Sequence, residues 1–402
     1  YSESRCERLR CFLDRNLPLH RAPVMESLRF KLSGKQTKPE DIKRWIEIAV
    51  SRYVRQLKLS YFSENQNIFP SSFYTCESLV ILELSGLTLM FMDVSSMVCL
   101  PSLKTLKLKY VTLMDIPSMV SLPSLQTLKL DTVTYVSDAS FQRLLSMCPV
   151  LEDLSVHFCG DDDMEEEFTM KEFTIIVPTL QSLSLYIPYD LFLDGYVVDT
   201  PCLKYFKLED WSNVGHYSVF KNMPKLREAY VDVVPSNLKS VVGSITSVKR
   251  LTICSEILNT DEQDDVYGGG FVFNELEHLN LCVCKKHSPT LLTQLLNDSP
   301  ILRVLEISSL EDHESGKRNH FVSWKQPSLV PECLLSSLQV FKWPRYFGKQ
   351  QDRDIAVYIL KNACCLKTAT ILAQPCLVPK LDMLKELAFS SRASTTCELV
   401  FH

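Results

Sequence analysis

The sequence lacks a long apolar run. No stretch approaches the roughly 20 residues that a membrane-spanning helix needs, and no hydrophobic signal segment opens the chain. An excess of positive charge is missing too, since the net charge is −5 and the isoelectric point is near 6.0. These absences predict a cytoplasmic or nuclear protein whose 15 cysteines are reduced, with no membrane and no nucleic acid among its partners.

Motifs for catalysis or cofactor binding are also missing. The three glycines at 268–270 precede no Lys-Ser or Lys-Thr pair, so they do not form a phosphate loop. The run Cys282-x-Cys284-x-x-His287 has no second ligand pair nearby in the sequence, and we expect both cysteines on the outward side of one strand. No Ser/His/Asp motif is present. We therefore predict no enzyme activity, no metal and no cofactor.

What the sequence does contain is one frame, apolar-x-x-apolar-x-apolar, that returns fifteen times. Most steps between frames fall in the range of about 20–29 residues that is typical of leucine-rich repeats. A frame that returns once per supersecondary unit predicts a stacked solenoid, in which each unit buries its apolar face against its neighbours. The first positions of the frames are Met25, Val54, Leu79, Leu103, Leu125, Leu151, Leu180, Leu203, Leu226, Val248, Leu276, Leu302, Leu338, Leu366 and Leu384.

Each frame predicts a short strand, because period-two alternation places its last two apolar positions on one face. We expect the final strand at Leu384, Leu387 and Phe389. Parallel strands need crossovers, and helical spacing predicts two of them as helices, at 138–147 and from Ser288 onward. In seven units a proline two residues before the frame ends the crossover, because proline cannot continue a helix. These prolines are Pro101, Pro123, Pro149, Pro178, Pro201, Pro224 and Pro300.

Outward strand positions supply the candidate recognition surface. They are mostly basic in the first five frames, and aromatic or polar in the later ones. On the concave side of a solenoid, such a stripe would suit an acidic partner segment, with tyrosine and arginine as anchors. The alternative is that the lysines only keep the sheet soluble and block edge pairing. The candidate partner-binding residues are Arg29, Lys31, Lys58, Lys107, Lys109, Lys129, Tyr205, Lys207, Tyr230 and Arg250.

The C-terminal segment carries a second pattern. Its parts are a Trp-Lys-Gln-Pro run, a Val-Pro-Glu-Cys-Leu run, a helix-like stretch and two further blocks, at 324–327, 330–334, 358–363, 383–387 and 392–401. This pattern resembles the FBD domain of plant F-box/leucine-rich-repeat proteins. The region around 21–54 resembles the same family, so that the resemblance covers nearly the whole chain.

The resemblance implies an α/β fold: a leucine-rich-repeat solenoid, with a curved parallel sheet and helical or irregular crossovers, capped by an FBD domain. We expect an N-terminal cap and first repeat at 1–50, further repeats at 51–320, and an FBD domain that continues the solenoid at 321–402. By the same resemblance, the chain is the substrate-recognition part of an F-box subunit of an SCF-type E3 ubiquitin ligase, and its partner is a protein substrate.

The Skp1-docking F-box of this family has no match in the sequence. No Leu-Pro entry and no helical leucine stripe precede Lys43-Arg44-Trp45, which we expect in a helix before the second strand. The chain begins at Tyr1 rather than methionine, so we expect a Skp1-type linker to bind only if an F-box is encoded upstream. Two alternatives stay open: a small-ligand receptor of the F-box/leucine-rich-repeat type, and a non-degradative scaffold or decoy.

Overall fold

A computed structural model of the chain describes residues 3–19, 22–33, 37–62, 68–86, 88–89, 98–113, 120–135, 138–160, 171–212, 215–221, 223–255, 267, 269–284, 288–308, 324–374 and 378–402. The chain divides into two compact units. The N-terminal unit comprises Tyr1–Leu203 with Ser212–Lys221, and the C-terminal unit comprises Lys204–Trp211 with Asn222–His402. No helix in the described ranges is both long enough and apolar enough to span a bilayer. The limits expected at residues 50 and 320 stay predictions.

The strands follow the repeats. They are β1 (Ser27–Ser33), β2 (Gln56–Phe62), β3 (Ile81–Ser85), β4 (Thr88–Leu89), β5 (Val98–Cys99), β6 (Thr105–Leu113), β7 (Val120–Ser121), β8 (Thr127–Tyr135), β9 (Asp153–His157), β10 (Glu172–Ile176), β11 (Ser182–Ile187), β12 (Gly195–Asp199), β13 (Tyr205–Asp210), β14 (Tyr217–Phe220), β15 (Glu228–Val233), β16 (Arg250–Ser255), β17 (His278–Cys282), β18 (Val304–Ser308), β19 (Val340–Tyr346), β20 (Thr368–Ala373) and β21 (Glu398–Phe401).

The helices lie between the strands. They are α1 (Glu3–Asn16), α2 (Pro39–Ser51), a 3₁₀ turn (Ser71–Thr75), α3 (Asp138–Ser146), α4 (Pro235–Ser244), α5 (Ser288–Asn297), α6 (Glu332–Ser336), α7 (Gln350–Asn362) and α8 (Lys380–Phe389). The two crossover helices predicted from spacing are confirmed as α3 and α5. The helix expected around Trp45 is confirmed as α2, which starts with a first-turn proline and buries Ile42, Trp45 and Ile46.

The N-terminal unit is built on parallel strands in the order β1-β2-β3-β6-β8-β9-β11. Two smaller parallel sheets, β10-β12-β14 and β5-β7, belong to the same unit. Because each frame has the same form, the second apolar positions pair across the strands and are buried together. This stack comprises Leu28, Leu57, Leu82, Leu106, Leu128, Leu154 and Leu183.

The C-terminal unit repeats the arrangement in β13-β15-β16-β17-β18-β19-β20-β21, and the described pairs are again parallel. Large and small side chains oppose one another in its core, as where Phe341 pairs with Ala369. The predicted α/β class, with parallel repeat strands and helical crossovers, is thus confirmed in each unit.

The prolines before the frames shape the entry to each strand. In one turn, the Leu103 N–H donates to the Leu100 carbonyl (3.2 Å), and Pro101 stands at the second position. Proline favours that position because its fixed φ matches the turn. The next amide, of Lys104, then donates to the Val80 carbonyl of the preceding repeat (2.9 Å). The residue directly after the turn therefore already forms a parallel hydrogen bond with the preceding repeat.

The prediction of a strand at the fifteenth frame is wrong. Its residues lie in α8, where Leu387 is buried but Leu384 and Phe389 are 38% and 86% exposed. The frame begins with an i, i+3 spacing that a helix also satisfies, and here Met383 and Leu387 form the buried helical stripe at i, i+4. The strand that pairs with β20 is instead β21, which contains Leu399.

Candidate recognition surface

Alternate strand positions point away from the buried leucines, and we call these side chains the polar face of each unit. In the N-terminal unit, the register aligns them into two rows. The central row comprises Arg29, Lys58, Glu83, Lys107, Lys129, Ser155 and Ser184, and the edge row comprises Lys31, Ser60, Ser85, Lys109, Asp131, His157 and Tyr186. All six predicted basic residues of this unit lie in these rows.

Glu83 joins two of the predicted lysines. Its carboxylate lies 2.7 Å from Lys58 Nζ and 2.9 Å from Lys107 Nζ. Partial burial alone would raise the pKa of Glu83, but the hydrogen bonds and charges of both lysines outweigh it and hold that pKa below its usual value. One carboxylate therefore offsets part of the charge of two cations.

The edge row ties Lys109 into a second cluster. Lys109 Nζ lies 2.5 Å from Asp131 Oδ2 and 4.9 Å from the Tyr110 ring centroid, and the hydrogen bond with Asp131 raises the pKa of Lys109. The ring centroids of His157 and Tyr186 are 4.0 Å apart. Sequence reasoning missed Asp131, His157 and Tyr186, although they occupy the same place in their frames as Lys109.

The other three predicted cations of this unit belong to neither of these clusters. Arg29, Lys31 and Lys129 are exposed, and no described residue forms an ion pair with them. Lys129 is in register with Lys107, so two like charges stand on neighbouring strands, about 4.8 Å apart. The two rows together hold six cations and two carboxylates, and the N-terminal polar face is therefore positively charged.

The four candidates of the C-terminal unit occupy a different environment. Lys207 Nζ lies 2.8 Å from Glu209 and 4.9 Å from the ring centroid of Tyr230, with which Lys207 is in register. Burial, followed by the charge of Glu209, raises the pKa of Tyr230, and burial raises that of Tyr205. Arg250 is exposed on β16. This polar face is aromatic and mixed in charge.

Three thiols also meet in the C-terminal unit. The sulfurs of Cys254, Cys282 and Cys284 lie within 4.8 Å of one another, and those of Cys254 and Cys284 are 3.4 Å apart. Hydrogen bonds with the other two thiols, followed by burial, raise the pKa of Cys254. Cys282 holds an outward strand position, as expected, but it is buried. Cys284 was expected on the same strand and instead lies beyond the end of β17. Cys254 is not part of the sequence motif Cys282-x-Cys284-x-x-His287, and His287 of that motif lies outside the described residues.

A surface cleft of about 470 Å³ lies beside α3 in the N-terminal unit. Its lining includes Pro123, Met147 and Pro149, and Arg143 is the one charged side chain among the described residues that line it. A receptor for a small polyanion needs several converging cations. This cleft therefore offers one cation rather than a pocket for a small polyanion, and the small-ligand alternative stays a prediction.

Comparisons with known proteins agree with these features. A family model named FBD matches residues 326–371, which contain β19, α7 and most of β20. A model of the leucine-rich repeats of FBD-associated F-box protein At5g56370 matches residues 112–228. The leucine-rich repeats and the FBD domain implied by the sequence resemblance are therefore both confirmed.

Similar proteins from Arabidopsis thaliana cover almost the whole chain. FBD-associated F-box protein At5g38590 is 58% identical over 94% of this chain and 84% of its own length. FBD-associated F-box protein At4g10400 is 52% identical over 100% of this chain and 88% of its own. F-box/FBD/LRR-repeat protein At5g56420 is 40% identical over 99% and 87%. At such identity and coverage, this chain belongs to the plant family of F-box/FBD/leucine-rich-repeat proteins.

Proposed function

We propose that the chain is the substrate-recognition part of an F-box subunit of an SCF-type E3 ubiquitin ligase, and that it acts by binding rather than by catalysis. Membership of the family supports a protein-interaction module, since the relatives are named as F-box proteins with FBD domains and repeats. The observation that carries the proposal is the positive polar face of the N-terminal unit.

The geometry of this face suits an acidic segment in extended conformation. Arg29 and Lys129 are separated by four strand spacings of about 4.8 Å each, or roughly 19 Å. At about 3.3 Å per residue, an extended segment of roughly six residues covers that distance. Carboxylates laid along the row would pair with Arg29 and Lys129 and would separate Lys129 from Lys107.

An aromatic contact lies at the β9–β11 end of the same face. His157 and Tyr186 pack against each other in the edge row, beside Asp131. Such rings bury apolar area and supply anchors in protein interfaces, whereas exposed charges mainly steer and orient the partner. We therefore expect the target segment to carry acidic residues followed by an apolar side chain.

Proximity labelling of the full-length protein in plant cells tests the recognition surface. The double variant Lys31→Glu/Lys129→Glu reverses two exposed lysines of the face. Lys38→Glu/Lys43→Glu makes the same charge change on exposed lysines at the start of α2 and serves as the control. We expect the first variant to lose a set of labelled proteins that the wild type and the control both label. Identical labelling by all three proteins would refute the surface.

The ligase role needs a separate measurement. If the labelled proteins are substrates, a proteasome inhibitor raises their abundance in cells that express the wild type and has a much smaller effect with the double variant. If the abundance of the labelled proteins does not change with the inhibitor, the result would indicate the non-degradative scaffold instead. Co-purification of a Skp1-type protein with the full-length protein completes the test of ligase attachment.

A further inference from the structure

The three thiols of the C-terminal unit come from two neighbouring repeats. Strands β16 and β17 pair as far as Ile253 and Leu281, and Cys254 and Cys282 are the next residues on the two strands. Parallel pairing in register therefore sets their side chains side by side. Cys284 follows two residues later, and its sulfur comes to lie 3.4 Å from that of Cys254.

The position of these thiols distinguishes them from cysteines that only fill the core. Cys148 and Cys333 donate their S–H groups to backbone carbonyls in the core, each at 3.2 Å. Cys254 and Cys282 instead occupy outward strand positions, and their thiols contact one another. The residues in register beside them, Asp232 next to Cys254 and Ser308 next to Cys282, are polar.

The spacing of the sulfurs matches that of a metal-thiolate site. Two thiolates bound about 2.3 Å from one zinc ion at the tetrahedral angle lie about 3.8 Å apart, and three in a trigonal plane lie about 4.0 Å apart. The observed separations are 3.4 Å for Cys254 and Cys284 and no more than 4.8 Å for any pair, a range that includes both values. Side-chain movements of less than about 1 Å, well within the reach of χ1 rotation, would complete the site.

We propose that Cys254, Cys282 and Cys284 bind one thiophilic metal ion of the zinc or copper(I) class. Soft thiolate ligands select these ions over magnesium or calcium. Three sulfurs satisfy a trigonal copper(I) ion, and they leave one of the four zinc positions for water or a donor from a bound partner. The ion links β16 to β17 beside Tyr230 on the polar face, and its binding displaces the thiol protons.

A disulfide is the competing fate of the same residues. The distance between Cys254 and Cys284 is short enough for the two sulfurs to join after oxidation, with loss of two protons and two electrons to an oxidant. That reaction uses two thiols and gives the third no role, whereas metal binding uses all three. The two states also differ in mass and in their response to reductant, so that one experiment separates them.

Metal titration of the whole chain under reducing conditions tests the proposal. The adjacent exposed Cys364 and Cys365 are first changed to serine, because two neighbouring thiols can bind the same ions. Three titrations follow. Zn²⁺ and copper(I) are each added in competition with a chelator, which is chromophoric for Zn²⁺ and copper(I)-selective for copper(I). Cd²⁺ is added alone, and the sulfur-to-metal absorbance reports its binding. We expect one ion per chain, and at least a tenfold weaker affinity in Cys284→Ser.

The control is Cys397→Ser, which removes a half-buried thiol of the same unit from outside the cluster and should leave the affinity unchanged. Circular dichroism checks that each variant is folded. Cys284 is the preferred target because it is only half-buried, unlike Cys254 and Cys282. Failure of all three ions to bind would refute the site, as would equal binding by Cys284→Ser. In protein purified without reductant, a loss of two hydrogen masses without metal, reversed by reductant and absent from Cys284→Ser, would assign the thiols to a disulfide instead.

Discussion

Replacing one buried and one exposed phenylalanine by alanine tests the assignment of strand and helix near the C-terminus. Phe341 is the middle apolar residue of the thirteenth frame, and Phe389 is the last residue of the fifteenth. The frame alone gives both a core position. In the structure, Phe341 is fully buried on β19 with its ring centroid 6.1 Å from that of Trp343, whereas Phe389 is 86% exposed at the end of α8.

The expected magnitudes differ by several kcal/mol. Phe341→Ala removes a buried ring and leaves a cavity, at a cost of about 3–5 kcal/mol in the free energy of unfolding. Phe389→Ala removes a solvent-exposed ring, and its cost should stay within about 0.5 kcal/mol. For a unit of 150–250 residues, about 2–4 °C is lost per kcal/mol, so the first variant should melt roughly 6–20 °C earlier.

Urea denaturation followed by far-UV circular dichroism measures both variants against the wild type. The comparison uses midpoints, provided that the denaturant slopes agree, because repeat proteins do not always unfold in one step. Equal destabilisation by the two changes would refute the helix at α8 and restore the fifteenth frame as a strand. A negligible effect of Phe341→Ala would refute the buried register of β19.

Two further changes test a charge cluster and a backbone turn. Glu83→Gln should cost up to about 1 kcal/mol at neutral pH. Because the pKa of Glu83 is lowered in the folded state, this stabilisation is present above the unperturbed value of 4.5 and is lost as the pH falls through the folded pKa. Urea midpoints of wild type and variant should therefore converge as the pH falls through the folded pKa of Glu83, and a difference that stays constant down to acid pH would contradict the ion pairs. Gly348→Ala should cost about 1–3 kcal/mol, since Gly348 has φ +67° and a Cβ there would lie 2.5 Å from Met383 Cγ. Gly270→Ala, at φ +92° in open space, is its control and should cost less in the same assay.

The repeated frame was sufficient to predict most of the fold. Leucines at fixed offsets must share one face of a strand, and stacking of the units then brings them into register, as with Leu128 and Leu154. The turn prolines were predictable for the same reason, because their effect on the backbone is local. The fifteenth frame failed because its i, i+3 pair also suits a helix, and the buried stripe of α8 is formed by Met383 and Leu387 rather than by the three frame residues.

Charge pairing was less predictable than burial. Lys58, Lys107 and Lys129 have the same place in their frames, yet two of them contact Glu83 and the third is in no ion pair with a described residue. The difference depends on which repeats are adjacent and on side-chain rotamers, and neither follows from the pattern of one repeat. A count of lysines along the strands therefore overestimates the positive charge that a partner meets.

The thiol cluster shows which contacts between distant residues can be predicted from a repeat sequence. Cys254 and Cys282 are far apart in sequence, but each lies six residues after the start of its own frame, at Val248 and Leu276. Equal offsets in neighbouring repeats become lateral neighbours about 4.8 Å apart once the strands pair in register. Alignment by frame, rather than a search for nearby ligand pairs, would have placed these two thiols together. Cys284 has an offset of eight and lies beyond the end of β17, where strand periodicity no longer fixes the direction of a side chain, so its approach to Cys254 could be learned only from the folded chain.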